Sequence, residues 1–217
     1  MHKLDRPTQP PACLNKYQYG QDNWVSVTSD DKGEIWVKLD VMQQNRCAYC
    51  EAAIKTEIRN SHIEHFRQRR AHSYPQGTFL WSNMFGSCNR TDCCGKHKDG
   101  LPHYAHEDLI KMDDEDPEEF LEFLPDGNIV PIKGLSFTDN HRAKETIRIF
   151  NLNGALRQIR QTEIVGYLQT AEELAKYAEE FDETEWLPLL QDELRKIKFL
   201  PFSTAIKHLI LPKVLSQ

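Results

Sequence analysis

The apolar positions of this chain follow two patterns, helical repeats near both ends and short alternating or broken runs between them. In GEIWVKLDVMQQN, residues 33–45, Ile35, Trp36, Leu39 and Met42 recur at the spacing of one helical stripe. That predicts a helix delivering the chain to Arg46-Cys47. From Thr138 helical spacing returns, with Asp139 or Asn140 able to cap and Ile147, Ile149 and Phe150 following. Residues 154–180 repeat Leu156, Ile159, Tyr167, Leu168, Ala171, Leu174 and Ala178, as one long amphipathic helix would. Residues 184–198 and 203–215 predict two more helices, parted by Pro201. The middle reads differently. NSHIEHFRQRR alternates as a strand, with Glu64-His65 between apolar Ile63 and Phe66. FLEFLPDGNIVPI, residues 120–132, sets two short apolar runs around Pro125-Asp126-Gly127, a hairpin signal. Residues 1–22, with prolines at 7, 10 and 11, read as irregular, and residues 106–124 as acidic and helical in pieces. There is no internal repeat and no low-complexity tract.

The expected fold class is α+β. The expected division is an N-terminal lead and helix over 1–45, a Cys/His-rich core over 46–105, and a hairpin plus helical region over 106–217. The 217 residues, 39% hydrophobic and 28% charged, suffice for a buried core and argue against wholesale disorder. No apolar run approaches the roughly 18 residues a membrane helix needs. The stretch MHKLDRPTQPPACLNKYQYG lacks the apolar centre of a signal peptide, so a cytoplasmic protein is expected.

Charge sharpens this picture. The formal net charge of −6 argues against a protein that simply coats nucleic acid. Yet residues 55–98 hold eight Lys/Arg against three Asp/Glu, and residues 107–126 hold one Lys against ten Asp/Glu. A basic patch beside an acidic one is compatible with nucleic-acid contact at the first, and equally with two solvated surfaces.

Five of the six cysteines, Cys47, Cys50, Cys88, Cys93 and Cys94, fall in one stretch. In a reducing compartment such clusters are more often metal ligands than disulfides. Cys47-Ala-Tyr-Cys50 supplies one pair, and Cys88 with Cys93 or Cys94 a second. Zinc takes four such soft ligands in a tetrahedron, and pairs on two tight turns deliver them. Buried free thiols are the plainer alternative. Cys13 stands apart and reads as a free thiol.

The segment between the two cysteine pairs carries the candidate chemistry. Glu64 suits a hard divalent cation such as Mg²⁺ or Mn²⁺. The His65 imidazole can take a proton from water near neutral pH. Phosphodiester hydrolysis needs such a base and a cation to stabilise developing charge. Arg67, Arg69 and Arg70 follow directly and can hold backbone phosphates, with Lys98 further on. Asn83 lies in a turn or short helix from which an amide can orient the imidazole. His97 falls where a helix should begin and can offer a second ligand. Singly each is weak, since a lone histidine on a half-buried strand is usually a satisfied polar residue.

Their order is more specific. Cys47-Ala-Tyr-Cys50-Glu51, Ile63-Glu64-His65-Phe66-Arg67, Trp81-Ser-Asn83, Ser87-Cys88-Asn89, Cys94-Gly95 and Lys98-Asp99 together resemble the HNH family of nucleases. Thr146-Ile147, Asn151-Leu152-Asn153 and Arg157 add a weaker echo. Within that family they are similar to the PtuB-like subgroup of Septu and retron-linked anti-phage systems, over roughly residues 46–157. The resemblance implies a ββα-metal core between zinc knuckles, with His65 as general base and Glu64 on the catalytic cation. It implies Asn83 holding His65, and structural zinc on Cys47, Cys50, Cys88 and Cys94. It implies cleavage of nucleic acid, DNA ahead of RNA, in a hetero-oligomer with a PtuA-like ABC-type ATPase. The acidic segment and the helical C-terminal half are the expected docking surfaces. Two departures stand out. Gln68 replaces the usual Pro after His-Phe-Arg, and Gly95 replaces the polar residue that binds the catalytic cation. His97 and then Asn89 are the substitutes expected, with His62 a further neighbour. The alternative is a zinc-dependent nucleic-acid-binding module without catalysis.

Overall fold

The computed structural model describes residues 1–55, 60–102 and 104–215. The first helix, α1 (Ser29–Gln43), begins four residues before the predicted stripe because Thr28 caps it, its hydroxyl accepting from the Asp31 amide at 3.2 Å. Ile35, Leu39 and Met42 are buried on the predicted face. The helix stops where Gln44 and Asn45 turn into the left-handed region.

Strand β1 (Ser61–His65) pairs antiparallel with β2 (Met84–Cys88), Glu64 opposite Phe85 and His65 opposite Met84. Helix α2 (Cys94–Gly100) follows and packs on β2. Strand, strand and helix thus succeed one another across the chemistry-bearing segment.

The second hairpin also forms, β3 (Leu121–Phe123) with β4 (Ile129–Pro131). Its turn needs Gly127, at φ +83°, where a side chain would strike the backbone of Arg157 and Gln161. Helix α3 (Phe137–Ile149) is capped by Ser136, not by Asp139 or Asn140; the Ser136 hydroxyl accepts from the Asp139 amide at 3.1 Å. The single long helix expected over 154–180 is two, α4 (Leu156–Gly166) and α5 (Leu168–Glu180). They break at Gly166-Tyr167, where Tyr167 leaves helical geometry at ψ 2°. Gly166 is the weakest helix former of that run, and folding the break back lets both halves bury apolar faces. Helices α6 (Glu183–Ile197) and α7 (Ser203–Leu215) complete the chain, with α7 packed chiefly on α5. The acidic run is not helical beyond single turns at His106–Asp108 and Pro117–Glu119.

One contiguous buried cluster runs from Met1 through the cysteines to Val214, so the three sequence segments share a core. The irregular lead belongs to it. Met1 and Leu4 are buried, and Arg6 reaches across to the carbonyl oxygens of Trp81 and Met84 at 2.7 and 3.0 Å. Glu51, just past the first cysteine pair, accepts from the Thr204 amide at 3.0 Å and so caps α7 from the far end of the chain. Among the described residues no helix is long and apolar enough to cross a membrane.

Candidate metal centre and active cleft

Two tight turns bring the cysteines together. After Cys47 the chain folds back, the Glu51 amide donating to the Cys47 carbonyl and the Cys47 amide to Ala52, at 3.0 and 2.9 Å. The Ala48 amide pins this turn to Gly86 on β2 at 3.0 Å. On the other side Cys94 opens α2 at φ +55°, its amide donating to the Phe150 carbonyl at 2.8 Å. The Gly95 amide donates to the Ser87 hydroxyl at 3.2 Å. The sulfurs of Cys47, Cys50, Cys88 and Cys94 all lie within 4.8 Å of one another, and all four residues are buried. Cys93 lies against the group, its sulfur 3.9 Å from that of Cys88. Hydrogen bonds from neighbouring thiols, Cys47 first, pull Cys88 down, while burial raises Cys94 and the thiol neighbours raise Cys50. Four soft donors converging in a dry pocket are the donor set that a tetrahedral zinc takes.

Glu64 lies behind this cluster on the same junction. A side chain at position 95 would run into its carboxylate, so Gly95 is what lets Glu64 lie against the start of α2. Glu64 is 1% exposed and Lys98, on the next turn of α2, is 0% exposed; they form a buried ion pair. Burial alone would raise the Glu64 carboxyl, but the Lys98 ammonium, with His62, holds it at about 2. His62 Nε2 lies 3.2 Å from the same carboxylate. The strand alternation puts His62 and Glu64 on one face of β1, toward α2.

His65 is buried at the end of β1. Its Nε2 lies 2.9 Å from the Thr78 carbonyl, which can only accept, so Nε2 carries the proton and Nδ1 is the basic atom. Its ring meets Trp24 edge-on at 4.6 Å. Burial, and then Arg69, push the imidazole down to about 3, so it is neutral at physiological pH. His65, Gln68, Arg69, Arg70 and Asp99 line a cleft of about 290 Å³.

The structure redistributes several sequence-predicted roles. Asn83 makes none of its hydrogen bonds to the His65 ring. Its side chain accepts from the Arg67 amide at 2.8 Å and donates to the Arg67 and Gly77 carbonyls, each at 3.1 Å. It therefore closes the loop between β1 and β2 and positions Thr78 from one residue away. His97 is turned to α3, with Nδ1 2.9 Å from the Ile149 carbonyl, because the side of α2 nearest Glu64 carries Gly95 and Lys98. It does not meet Glu64. Lys98 does not lie on a phosphate-binding surface; besides Glu64 it donates to the His65 and Phe66 carbonyls at 2.5 and 3.2 Å. Arg70 is largely spent on α2, donating to the Asp99 carbonyl and to that of Leu101 at 3.0 Å. Arg67 covers the Tyr74 ring at 3.6 Å. Arg69, exposed and 5.5 Å over Trp24, lines the cleft with Arg70 and, among the described residues, makes no hydrogen bond to α2 of the kind that holds Arg70 there. Gln68 donates to the Lys98 carbonyl at 3.0 Å, a bond that proline cannot make. Trp24 and Thr78 carry no signal in the sequence, one far upstream and the other acting through its backbone. Asp99 was visible only beside Lys98, with no role attached.

The expected acidic docking surface is partly consumed within the chain. Asp113 pairs with Arg6 and Lys111, Glu115 with Arg142, and Glu118 with Lys207 and His208. Cys13 is a buried free thiol, raised to about 11 by burial and the acids Glu34 and Asp31.

No protein-family model matches the chain. It is related to a Septu protein PtuB from Bacillus thuringiensis, with 25% identity over 186 residues, 84% of this chain and 67% of that protein.

Proposed function

We propose that this chain is a zinc-stapled HNH-type nuclease that hydrolyses phosphodiester bonds of nucleic acid, DNA ahead of RNA. The observation that carries the reading is His65. A neutral imidazole, its proton fixed on Nε2 by Thr78, stands in an arginine-lined cleft on a strand–strand–helix unit. Nδ1 takes a proton from water as the water oxygen adds to phosphorus, and the sugar oxygen leaves with the bonding pair and takes a proton from solvent. Arg69 neutralises the phosphate.

Zinc fits Cys47, Cys50, Cys88 and Cys94, where it would act as a structural staple between the knuckle turn and α2. The Mg²⁺ or Mn²⁺ that the HNH resemblance implies does not fit the resting arrangement. Glu64 and Asp99 are the carboxylates at hand, with the His62 imidazole beside Glu64; Gly95 offers no donor, His97 points elsewhere, and Lys98 already holds Glu64 and contacts Asp99. That observation favours the second reading, a zinc-dependent module that binds nucleic acid without cutting it.

The relation to a Septu protein supports a role in an anti-phage system, and with it a hetero-oligomer with a PtuA-like ABC-type ATPase in the cytoplasm. The deciding experiment incubates the purified chain, alone and with such an ATPase, with plasmid DNA and transfer RNA in Mg²⁺ and in Mn²⁺. Cleavage that disappears in His65→Ala with zinc content unchanged establishes the nuclease and its substrate class. Binding without cleavage in every combination establishes the second reading.

A further inference from the structure

The Glu64 site has a cation of its own. Lys98 Nζ is fully buried and reaches four acceptors: the Glu64 carboxylate, the His65 and Phe66 carbonyls, and Asp99 at 3.3 Å. The two carbonyls belong to the end of β1 and would hold the ammonium there whatever Glu64 did. Space around Glu64 is closed on the α2 side, because its carboxylate fills the volume that a side chain at position 95 would take. The ion pair leaves the carboxylate charge neutralised, and a divalent cation arriving there would sit beside a fixed positive charge in a dry pocket.

We infer that Lys98 is the resident cation of this site and excludes a divalent metal from Glu64 in the resting protein. Lys98 is thus a positioning residue that holds the carboxylate and the end of β1 beside His65. The inference deepens the nuclease reading and rests on it only for the meaning of the site, not for its test.

The test is Mn²⁺ binding to the full-length, zinc-loaded chain, followed by electron paramagnetic resonance and by thermal unfolding. Wild type is expected to bind no Mn²⁺ that depends on Glu64, and its unfolding temperature is expected not to move with Mn²⁺. Lys98→Met removes the competitor and leaves Glu64 and His62 free to ligate. That variant is expected to bind Mn²⁺ at least about tenfold more tightly and to be stabilised by it. Adding Glu64→Gln to it should abolish both effects. One Mn²⁺ per wild-type chain, lost in Glu64→Gln at unchanged zinc content, overturns the inference. That wild-type measurement decides the matter even if Lys98→Met does not fold. Because the readout is binding, its result is separable from the cleavage assay: metal on wild-type Glu64 together with cleavage removes this inference and keeps the nuclease.

Discussion

The thiol cluster and the Glu64 site sit back to back on the turn that starts α2, joined by the Cys94-Gly95 peptide, yet they are opposite solutions to holding charge inside a protein. The cluster gathers four sulfur donors of one kind, all buried. A Glu64 carboxylate a residue away is met by an internal ammonium, an imidazole and a closed wall. Four thiols buried together are a donor set that a soft cation would satisfy, and the first site fits one. Burying a carboxylate with its own lysine is self-sufficient, so the second needs none. Proximity along the chain therefore says little about what each site requires.

The largest effect that separates them is metal removal. Structural zinc contributes on the order of 10 kcal/mol to small zinc domains, because the site exists only in the folded state. Cys50→Ser is expected to lose zinc and the folded state together, read by metal analysis and circular dichroism. Cys93→Ser is expected to keep one zinc per chain. Loss of zinc in Cys93→Ser with retention in Cys94→Ser would reverse the ligand assignment.

Next in size is the ion pair. Removing one partner strands a buried charge, at about 3–5 kcal/mol. Glu64→Gln and Lys98→Met should each be destabilised by that order in urea unfolding without added divalent metal. The double variant should be destabilised by less than the two losses added together, because neither charge remains to be stranded. Additive losses would show that the pair is not coupled, and would break the contrast between the two sites.

Legibility in the sequence follows the same contrast. That Cys47, Cys50 and Cys88 gather could be read from residue type and spacing, but spacing left Cys93 and Cys94 open, and it is the fold at the start of α2 that brings the Cys94 sulfur into the group. Strand β1 was legible from its alternation, the Pro125-Asp126-Gly127 hairpin from its turn residues, and α1 from its stripe. The Glu64–Lys98 pair joins residues far apart through the docking of a two-turn helix, and nothing local announces which face of that helix turns inward. Asn83 was visible as important but not in its action, since its partners are backbone groups of Arg67 and Gly77. The break between α4 and α5 is a tertiary matter; the apolar spacing continues through it, and only Gly166 marks the place.

A smaller effect concerns His65, which belongs with the acid site by position but is held neutral by burial. Its folded-state value, about 3, lies below the ordinary 6.5, so the unfolded chain binds more protons between these values. This contribution is fully present above about pH 6.5 and is lost as pH falls toward 3, at roughly 1.4 kcal/mol per pH unit. His65→Gln, which does not titrate, removes it. The stability advantage of wild type over His65→Gln should shrink by about 2 kcal/mol between about pH 6.5 and about pH 5 in urea unfolding. A constant difference would mean that the imidazole titrates alike in both states and is not held neutral by its surroundings.

The smallest expected effect is at His97, and it sharpens the comparison most directly because this histidine was the expected bridge between α2 and a metal at Glu64. In the structure it ties α2 to α3 through one hydrogen bond to the Ile149 carbonyl. That carbonyl lies in the last turn of α3, where main-chain acceptors lack helical partners, so the bond is useful but replaceable by water at a half-buried position. His97→Ala is therefore expected to cost about 0.5–1.5 kcal/mol in urea unfolding. Zinc content, Mn²⁺ binding and any cleavage that depends on His65 should be unchanged. A strut and a ligand make different predictions here: a ligand would lose activity or metal out of proportion to stability. If His97→Ala abolished cleavage while the chain stayed folded and zinc-loaded, α2 would have to rotate in the working state. Glu64 would then be shared between Lys98 at rest and His97 in action.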